Sequence, residues 1–369
     1  MRRLIDHRQA IHRNYLREYQ MTEDVVVLQN VWKIFGERAD EALTAIKSRG
    51  LGKPEVLEEF ACVVGIADCS FTVRRGEIFC VMGLSGSGKS TMVRHLNRLI
   101  EPTAGSIHML GKDVLAMNAS ELRELRARHI GMVFQHMALL PHRTVLDNVG
   151  FPLQVRGEPK SRRWAVSQQC LNKVNLEGYE DRFPSGLSGG MQQRVGLARA
   201  LASDPEVLLM DEPFSALDPL IRRQLQDQFM ALSAEMNKTT VFITHDLDEA
   251  IRIGHRIAIM KDGRIVQIGT PEEIVTQPAD QYVSDFVEGI SKLKLVFAHS
   301  IMQPINDFKP RSTDDMSSSP RVHHGTDLDS LIDISTTTEN PIVIVDDDDK
   351  DVGVITRATL LKGIKGGKA

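Results

Sequence analysis

Residues 83 to 91 read GLSGSGKST, directly after the apolar run IFCVM. Flexible, poorly packing residues beside a buried strand add little to a core, but they suit a backbone that must wrap an anion. Glycines let the chain approach closely, successive amide hydrogens point inward, and a helix starting there adds roughly half a positive charge at its N-terminus. Gly83-x-x-x-x-Gly88-Lys89-Ser90 is the pattern of a phosphate-binding loop, and TMVRHLNRLI, closed by Pro102 and Gly105, reads as the helix that should follow it. In such a loop Lys89 reaches the β- and γ-phosphates of a nucleotide and Ser90 ligates Mg2+, with Ser85, Gly86, Ser87 and Thr91 completing the cradle. The full pattern and its flanks disfavour a plain glycine turn.

A bound nucleotide also needs a carboxylate for its metal and a group that orients water. VLLMDE, residues 207 to 212, supplies both at an expected strand end: Asp211 for the metal, through water, and Glu212 as the general base that polarises the attacking water. Gln135 follows GMVF and His245 follows TVFIT. A single histidine beside a strand is more often structural, but both positions fall at the carboxyl ends of expected strands, where open α/β sheets bind ligands. Gln135 would there touch Mg2+ and water, and His245 the γ-phosphate. Ser188, Gly189 and Gly190 form a second small-residue turn at a helix start, a second anion-binding N-terminus, although LSGG alone reads as a flexible loop.

The elements that must carry these residues follow from periodicity. IFCVM, HIGMVFQ, EVLLMDE and TTVFITH read as strands; STMVRHLNRLI, VGLARALAS, LIRRQLQDQFMALSAEM and LDEAIRIG read as helices. The alternation predicts an α/β domain with a mainly parallel sheet. Residues 37 to 66 read as a mixed helical insertion, and residues near 119 to 200 as a helical lobe inserted into the sheet domain. RIAIMKDGRIVQIG is a hairpin turning at Asp262-Gly263. The division is a basic leader over 1–21, with Met21 as an alternative start, a main domain over 22–290, and a linker and small domain over 291–369.

In order, the phosphate loop, Gln135, LSGGMQQ at 187 to 193, VLLMDEP, SALD at 215 to 218 and His245 resemble the nucleotide-binding subunit of an ABC transporter over about residues 22 to 290. The resemblance implies a P-loop NTPase, a RecA-like sheet core with an inserted helical lobe, that takes ATP and Mg2+. It implies a head-to-tail homodimer sandwiching two ATP molecules, with Ser188–Gly190 of one copy closing on the phosphate loop of the other. It adds Asp218 to the nucleotide-binding residues and Phe35 as a stack for adenine, a contact worth about 1 to 3 kcal/mol in nucleic-acid complexes; a core phenylalanine is the competing reading.

The insertion at 37 to 66, together with Met191 in the signature segment, is similar to the ATPase subunits of importers of glycine betaine, proline betaine, choline and related osmolytes. That implies a membrane permease as direct partner, a solute-binding protein as indirect one, and a peripheral place on the cytoplasmic face of the plasma membrane. MALLPHRTVLDNV, after Gln135, would be the docking surface. A non-transport ABC ATPase acting on nucleic acid or ribosomes is the rival, without the coiled-coil arms or second cassette usual there; an exporter ATPase is the third reading. The tail DLDSLIDISTTTENPIVIVDDDDKDVGVITRATLLKGI resembles one cystathionine-β-synthase repeat, a small α+β unit, with FAHSIMQPI as a remnant of a second. The run Asp346 to Asp349 reads either as an ionic-strength sensor or, with better odds, as a solvated turn.

Composition sets outer limits. Forty-five basic against forty-nine acidic residues leave a net charge of −4, which offers no global attraction for nucleic acid. No apolar run approaches the eighteen residues or so of a membrane-spanning helix, and the basic start lacks the apolar segment of a secretory signal. Cys62, Cys69, Cys80 and Cys170 form no CxxC pair and sit in apolar stretches, as buried reduced thiols do.

Overall fold

The computed structural model describes residues 23–365, apart from 136, 292, 294, 309 and 311–315. The leader expected over 1–21 and the alternative start at Met21 lie outside the described residues. The chain divides between Thr270 and Pro271 into two compact units, earlier than the boundary near 290 expected from composition. The helices Pro271–Thr276 and Gln281–Val287 group with the C-terminal unit, where Glu272 accepts hydrogen bonds from the Phe297 amide and the Ser300 hydroxyl.

The larger unit contains two sheets. Strands β1 (Asp24–Phe35) and β2 (Val63–Arg74) pair antiparallel, and β1 also pairs with β4 (Ala104–Met109), which pairs with β5 (Lys112–Asp113). The second sheet has the order β10-β9-β3-β8-β7-β6, from β3 (Ile78–Met82), β6 (Ile130–Val133), β7 (Val207–Asp211), β8 (Thr239–Thr244), β9 (Arg256–Lys261) and β10 (Arg264–Gly269). Every residue of β3, β7 and β8 is buried, as expected of central parallel strands covered on both faces. CSFTVRRGEIFCVM turns at Arg75-Gly76, and the turn hands its two strands to different sheets. Burial along β2 largely alternates whereas β3 is apolar throughout, so the two cannot share one environment.

The insertion between β1 and β2 is shorter than 37–66 because β2 begins at Val63. It consists of the helices Ala39–Arg49 and Lys53–Phe60, whose Ala42, Leu43, Val56 and Phe60 pack with Trp32, Ile34 and Val64 in a cluster of their own. The helical lobe also starts later than residue 119. The helix Ala119–Arg128 buries Leu125 in the main core, and β6 is an edge strand of the central sheet paired to β7. The lobe comprises Val145–Val149, Phe151–Val155, Lys160–Lys173 and the signature helix Gly189–Ala202. The hairpin β9–β10 turns as expected, with Asp262 at φ 52° and Gly263 at φ 79°, the positive pair that a type I′ turn requires.

The C-terminal unit carries one four-stranded sheet in the order β11-β14-β13-β12, from β11 (Gln303–Pro304), β12 (Arg321–His323), β13 (Ile342–Val345) and β14 (Asp351–Ile355). Helices Leu328–Thr337 and Arg357–Lys365 help close it, with Leu328, Leu331, Ile342, Ile344, Ile355 and Leu360 in the core. In FAHSIMQPI, expected as a remnant of a second repeat, Gln303 and Pro304 pair with Val354 and Gly353 at the edge of this sheet. No helix among the described residues is long and apolar enough to cross a membrane. All four cysteines are buried and unbridged.

Under the central sheet, Phe214, Phe229 and Phe242 form a closed triangle with ring centroids 5.9 to 6.4 Å apart, joining the segment after β7, the helix Pro219–Glu235 and β8. Phe229→Ala leaves a cavity that this triangle cannot collapse to fill. It should lower unfolding free energy by about 3 to 5 kcal/mol in urea denaturation.

Candidate functional site

The site is an edge where parallel strands stop together. The register pairs Met82 with Thr244, Asp211 with Ile243, and Met210 with Val133. The residues that follow these ends, Gly83, His245, Glu212 and Gln135, are thereby gathered at the carboxyl edge of the sheet, where α/β sheets bind ligands.

The phosphate loop needs its glycines for space and for backbone angle. A Cβ on Gly83 would lie 2.2 Å from the Met260 carbonyl oxygen. Gly88 has φ 105°, and a Cβ there would lie 2.7 Å from the Gly65 oxygen. The hairpin tip holds the loop from the side, the Gly263 amide donating to the Ser87 carbonyl at 2.9 Å. The helix Lys89–Leu96 starts directly after Gly88. Ser87 Oγ is buried with no hydrogen-bond partner, an unmet polar group within the loop.

Lys89 is buried, and its Nζ donates to the carbonyls of Gly83 and Leu84 at 2.8 and 3.0 Å and lies 4.0 Å from Glu212 Oε1. Burial holds its ammonium below the ordinary lysine range, against the pull of Glu212 and Asp211. Ser90 Oγ donates to Asp211 Oδ1 at 2.9 Å, so the two expected metal-sphere side chains do meet. Burial pushes the Asp211 carboxyl up from its usual value, with the Ser90 hydrogen bond opposing. A cleft that disfavours both its lysine charge and its aspartate charge is one that an anion and a cation bound together would relieve.

Glu212 takes φ 45°, uncommon for a residue with a side chain, and its amide donates to the Ile243 carbonyl at 3.0 Å. This turn aims its carboxylate across the strand ends. Oε2 lies 3.0 Å from His245 Nδ1 and 3.5 Å from Gln135 Nε2. The structure therefore brings Lys89, Ser90, Gln135, Asp211, Glu212 and His245 into one cleft. Ser85 and Gly86 are exposed on the loop and Thr91 half-buried in the first turn of its helix.

Five expected residues lie apart. Ser188 caps the signature helix through Met191, and Asp218 caps Pro219–Glu235 through Ile221. Among the described residues no hydrogen bond joins Ser188, Gly189, Gly190 or Asp218 to the phosphate loop, and Ser188, Gly189 and Asp218 are exposed. Phe35 is 40% exposed at the end of β1, which sets aside its reading as a core residue.

Two positioning residues escaped the sequence reading. Arg199 of the signature helix donates to the carbonyls of Ala138 and Met137, both at 2.7 Å, and so clamps the segment that follows Gln135. Asn148, fully buried, donates to the carbonyls of Leu140, Arg143 and Thr144 and accepts from the Leu140 amide. The available signal was an arginine inside the otherwise apolar VGLARALA.

A family model described as ABC transporter matches residues 66–215, from β2 through Glu212. The glycine betaine/carnitine transport ATP-binding protein GbuA of Listeria monocytogenes is 50% identical over 277 residues, 75% of this chain and 70% of that protein. This chain belongs to the ABC transporter ATP-binding proteins. Another relative of this ABC ATPase, the glycine betaine transport ATP-binding protein OpuAA of Bacillus subtilis, is 52% identical over 278 residues, 75% of this chain, and the match spans 66% of that protein's length. The trimethylamine N-oxide transport ATP-binding protein TmoW of Pelagibacter ubique is 42% identical over 335 residues, 91% of this chain and 96% of its own. A solved ATP-binding cassette, dimeric in a post-hydrolysis state bound to ADP and Pi, is 32% identical with a TM-score of 0.56, covering 67% of this chain and 98% of its own. As a member of the family this ABC ATPase binds and hydrolyses ATP.

The clamp on the Gln135 segment is the part of the cleft most directly open to test. Arg199→Ala leaves two carbonyls without a charged donor and should cost about 1.5 to 3 kcal/mol of stability by urea denaturation. Arg199→Lys, which cannot span both oxygens with a planar fork, should recover only part of it.

Proposed function

We propose that this ABC ATPase energises the import of a quaternary-amine osmolyte such as glycine betaine or choline, acting as a peripheral subunit on the cytoplasmic face of the membrane. The relatives described as glycine betaine and trimethylamine N-oxide transport ATP-binding proteins support that substrate class, as does the helical insertion between β1 and β2. The observation that carries the catalytic reading is the Glu212 carboxylate held between His245 and Gln135, 4.0 Å from the buried Lys89.

In this reading the triphosphate replaces the Gly83 and Leu84 carbonyls as the partner of Lys89, and the loop amides and the Ser87 hydroxyl take its oxygens. Ser90, Asp211 and Gln135 would hold Mg2+; Ser90 Oγ and Asp211 Oδ1, hard oxygen donors 2.9 Å apart, fit such an ion. Bound there, Mg2+ supplies neutralisation of phosphate charge. Glu212 polarises the attacking water, His245 contacts the γ-phosphate, and Gln135 touches Mg2+ and that water. Ser188, Gly189, Gly190 and Asp218 serve the loop of a second copy, a reading supported by the exposure of Ser188, Gly189 and Asp218 and by the dimeric state of the similar cassette. Phe35, exposed at the edge of β1, stacks on adenine.

A membrane permease is the direct partner, docking on the segment Met137–Val149 that Arg199 and Asn148 pin beside Gln135, and a solute-binding protein acts through that permease. Within the C-terminal unit, the run of strand β12, helix, strands β13 and β14, and helix suits a single cystathionine-β-synthase-like repeat.

Glu212→Gln keeps the shape and removes the base. The purified variant should bind ATP and dimerise, with turnover down by about 10²- to 10⁴-fold; near-normal hydrolysis would remove Glu212 as the base. The transport reading is tested in two ways: a permease should co-purify with the chain from membranes, and deleting the chain in its host should abolish uptake of labelled betaine or choline, whereas unchanged uptake points to export or a non-transport role.

A further inference from the structure

Outside the nucleotide cleft, one cluster among the described residues has the composition and spacing of a metal centre. The parallel register of β12 and β13 sets His323 opposite Val345, and the His324 amide donates to the Val345 carbonyl at 2.9 Å. The chain then turns through the acidic run, where Asp346 Oδ1 accepts from the amides of Asp348 and Lys350, both at 2.9 Å. That tight turn sends the Asp347 carboxylate back over the end of β12. His323 Nε2 stands 2.9 Å from Asp347 Oδ1 and His324 Nε2 stands 3.9 Å from the same oxygen; candidate ligand atoms of the three all fall within 4.8 Å of one another. A tetrahedral zinc with bonds of about 2.0 to 2.1 Å separates its ligand atoms by roughly 3.4 Å, between the two observed spacings. Small rotations of an exposed carboxylate bridge the difference.

We propose that His323, His324 and Asp347 bind a borderline divalent transition-metal ion of the zinc class, with water in the fourth position. Two imidazoles and one carboxylate select such an ion over Mg2+, which takes oxygen ligands, so this centre differs in kind from the nucleotide site. His323 Nδ1 accepts from the Gly325 amide at 3.1 Å, so without metal its proton sits on Nε2 and is shared with Asp347. Metal capture moves that proton to Nδ1 and gives up this local contact.

His299 supports the centre without joining it. Its Nδ1 faces the His324 carbonyl and its Nε2 faces Glu272 Oε2, each at 3.2 Å. The two contacts hold the His299 ring against the His324 backbone and brace it. The thiols do not compete, since all four cysteines are buried and burial pushes Cys69 up to about 12 and Cys170 to about 11.

The test uses the full chain, stripped with EDTA and titrated with Zn2+ against a chromophoric chelator in excess Mg2+, then with Co2+ under visible spectroscopy. The parent should bind one equivalent that Asp347→Asn and His324→Gln each weaken by at least about tenfold, with tetrahedral Co2+ bands that the variants lose. Asp348→Asn, on the same turn but outside the cluster, should bind as the parent does. Asp347 is exposed, so its replacement spares the core. Equal zinc affinity in the parent and Asp347→Asn, or displacement of zinc by Mg2+, would overturn the proposal.

Discussion

Four strands stop in register at one edge of the central sheet, and the chemistry of the cleft depends on that coincidence. In a parallel sheet, neighbouring strands can only enter their loops at the same level if the ladder fixes it, and here Met82, Thr244, Asp211 and Val133 end within one step of each other. A slip of one residue would exchange the faces of every side chain on the slipped strand. β3, β7 and β8 are buried on both faces, so any slip would also carry polar end residues into the core. The hydrophobic pattern thus secures the placement of Lys89, Glu212 and His245 without any of them contributing to it.

The same edge keeps the cleft electrostatically incomplete. Lys89 spends its hydrogen bonds on two loop carbonyls, the Ser87 hydroxyl has no partner, and Asp211 and Lys89 both sit where burial disfavours their charged forms. Such an arrangement is poorly suited to stabilising the fold and well suited to a ligand with three phosphates and a cation. In the proposed reading the signature turn is the complementary half: its Ser188 caps its own helix, Ser188 and Gly189 stay exposed, and the turn makes no hydrogen bond to the loop of its own chain. Two half-sites left unjoined within one molecule would be a physical reason for two molecules.

Much of the cleft was legible in the sequence because its demands are local. A loop that surrounds phosphate must have glycines at fixed offsets, and a strand buried on both faces must be continuously apolar, so GLSGSGKST and VLLMDE announce themselves. The hairpin at Asp262-Gly263 was legible for the same reason. What periodicity could not convey was partnership. β2 and β3 are joined by a short turn, yet one largely alternates and the other does not, and they join different sheets. The strand β6 was legible in HIGMVFQ, but the bounds expected for the helical lobe enclosed it, because its four residues carry no mark of which element they pair with. Arg199 and Asn148 act on backbone carbonyls, which have no sequence identity, so their roles appear only once the chain is folded.

The acidic run in the C-terminal unit shows how folding can change the meaning of a charge pattern. Four consecutive aspartates read as mutually repelling charges whose field salt would screen over a Debye length of about 8 Å. Folded, they are not equivalent. Asp346 is consumed by two backbone amides, which hold its carboxyl below the usual range, Asp347 faces two histidines, and Asp348 lies 3.9 Å from the Lys350 ammonium. The contacts that define the turn are far shorter than the distance over which salt acts, so ionic strength has little purchase on its shape. A ligand that engages Asp347 and the histidines directly has far more, because it competes at the same few ångströms where the turn is built.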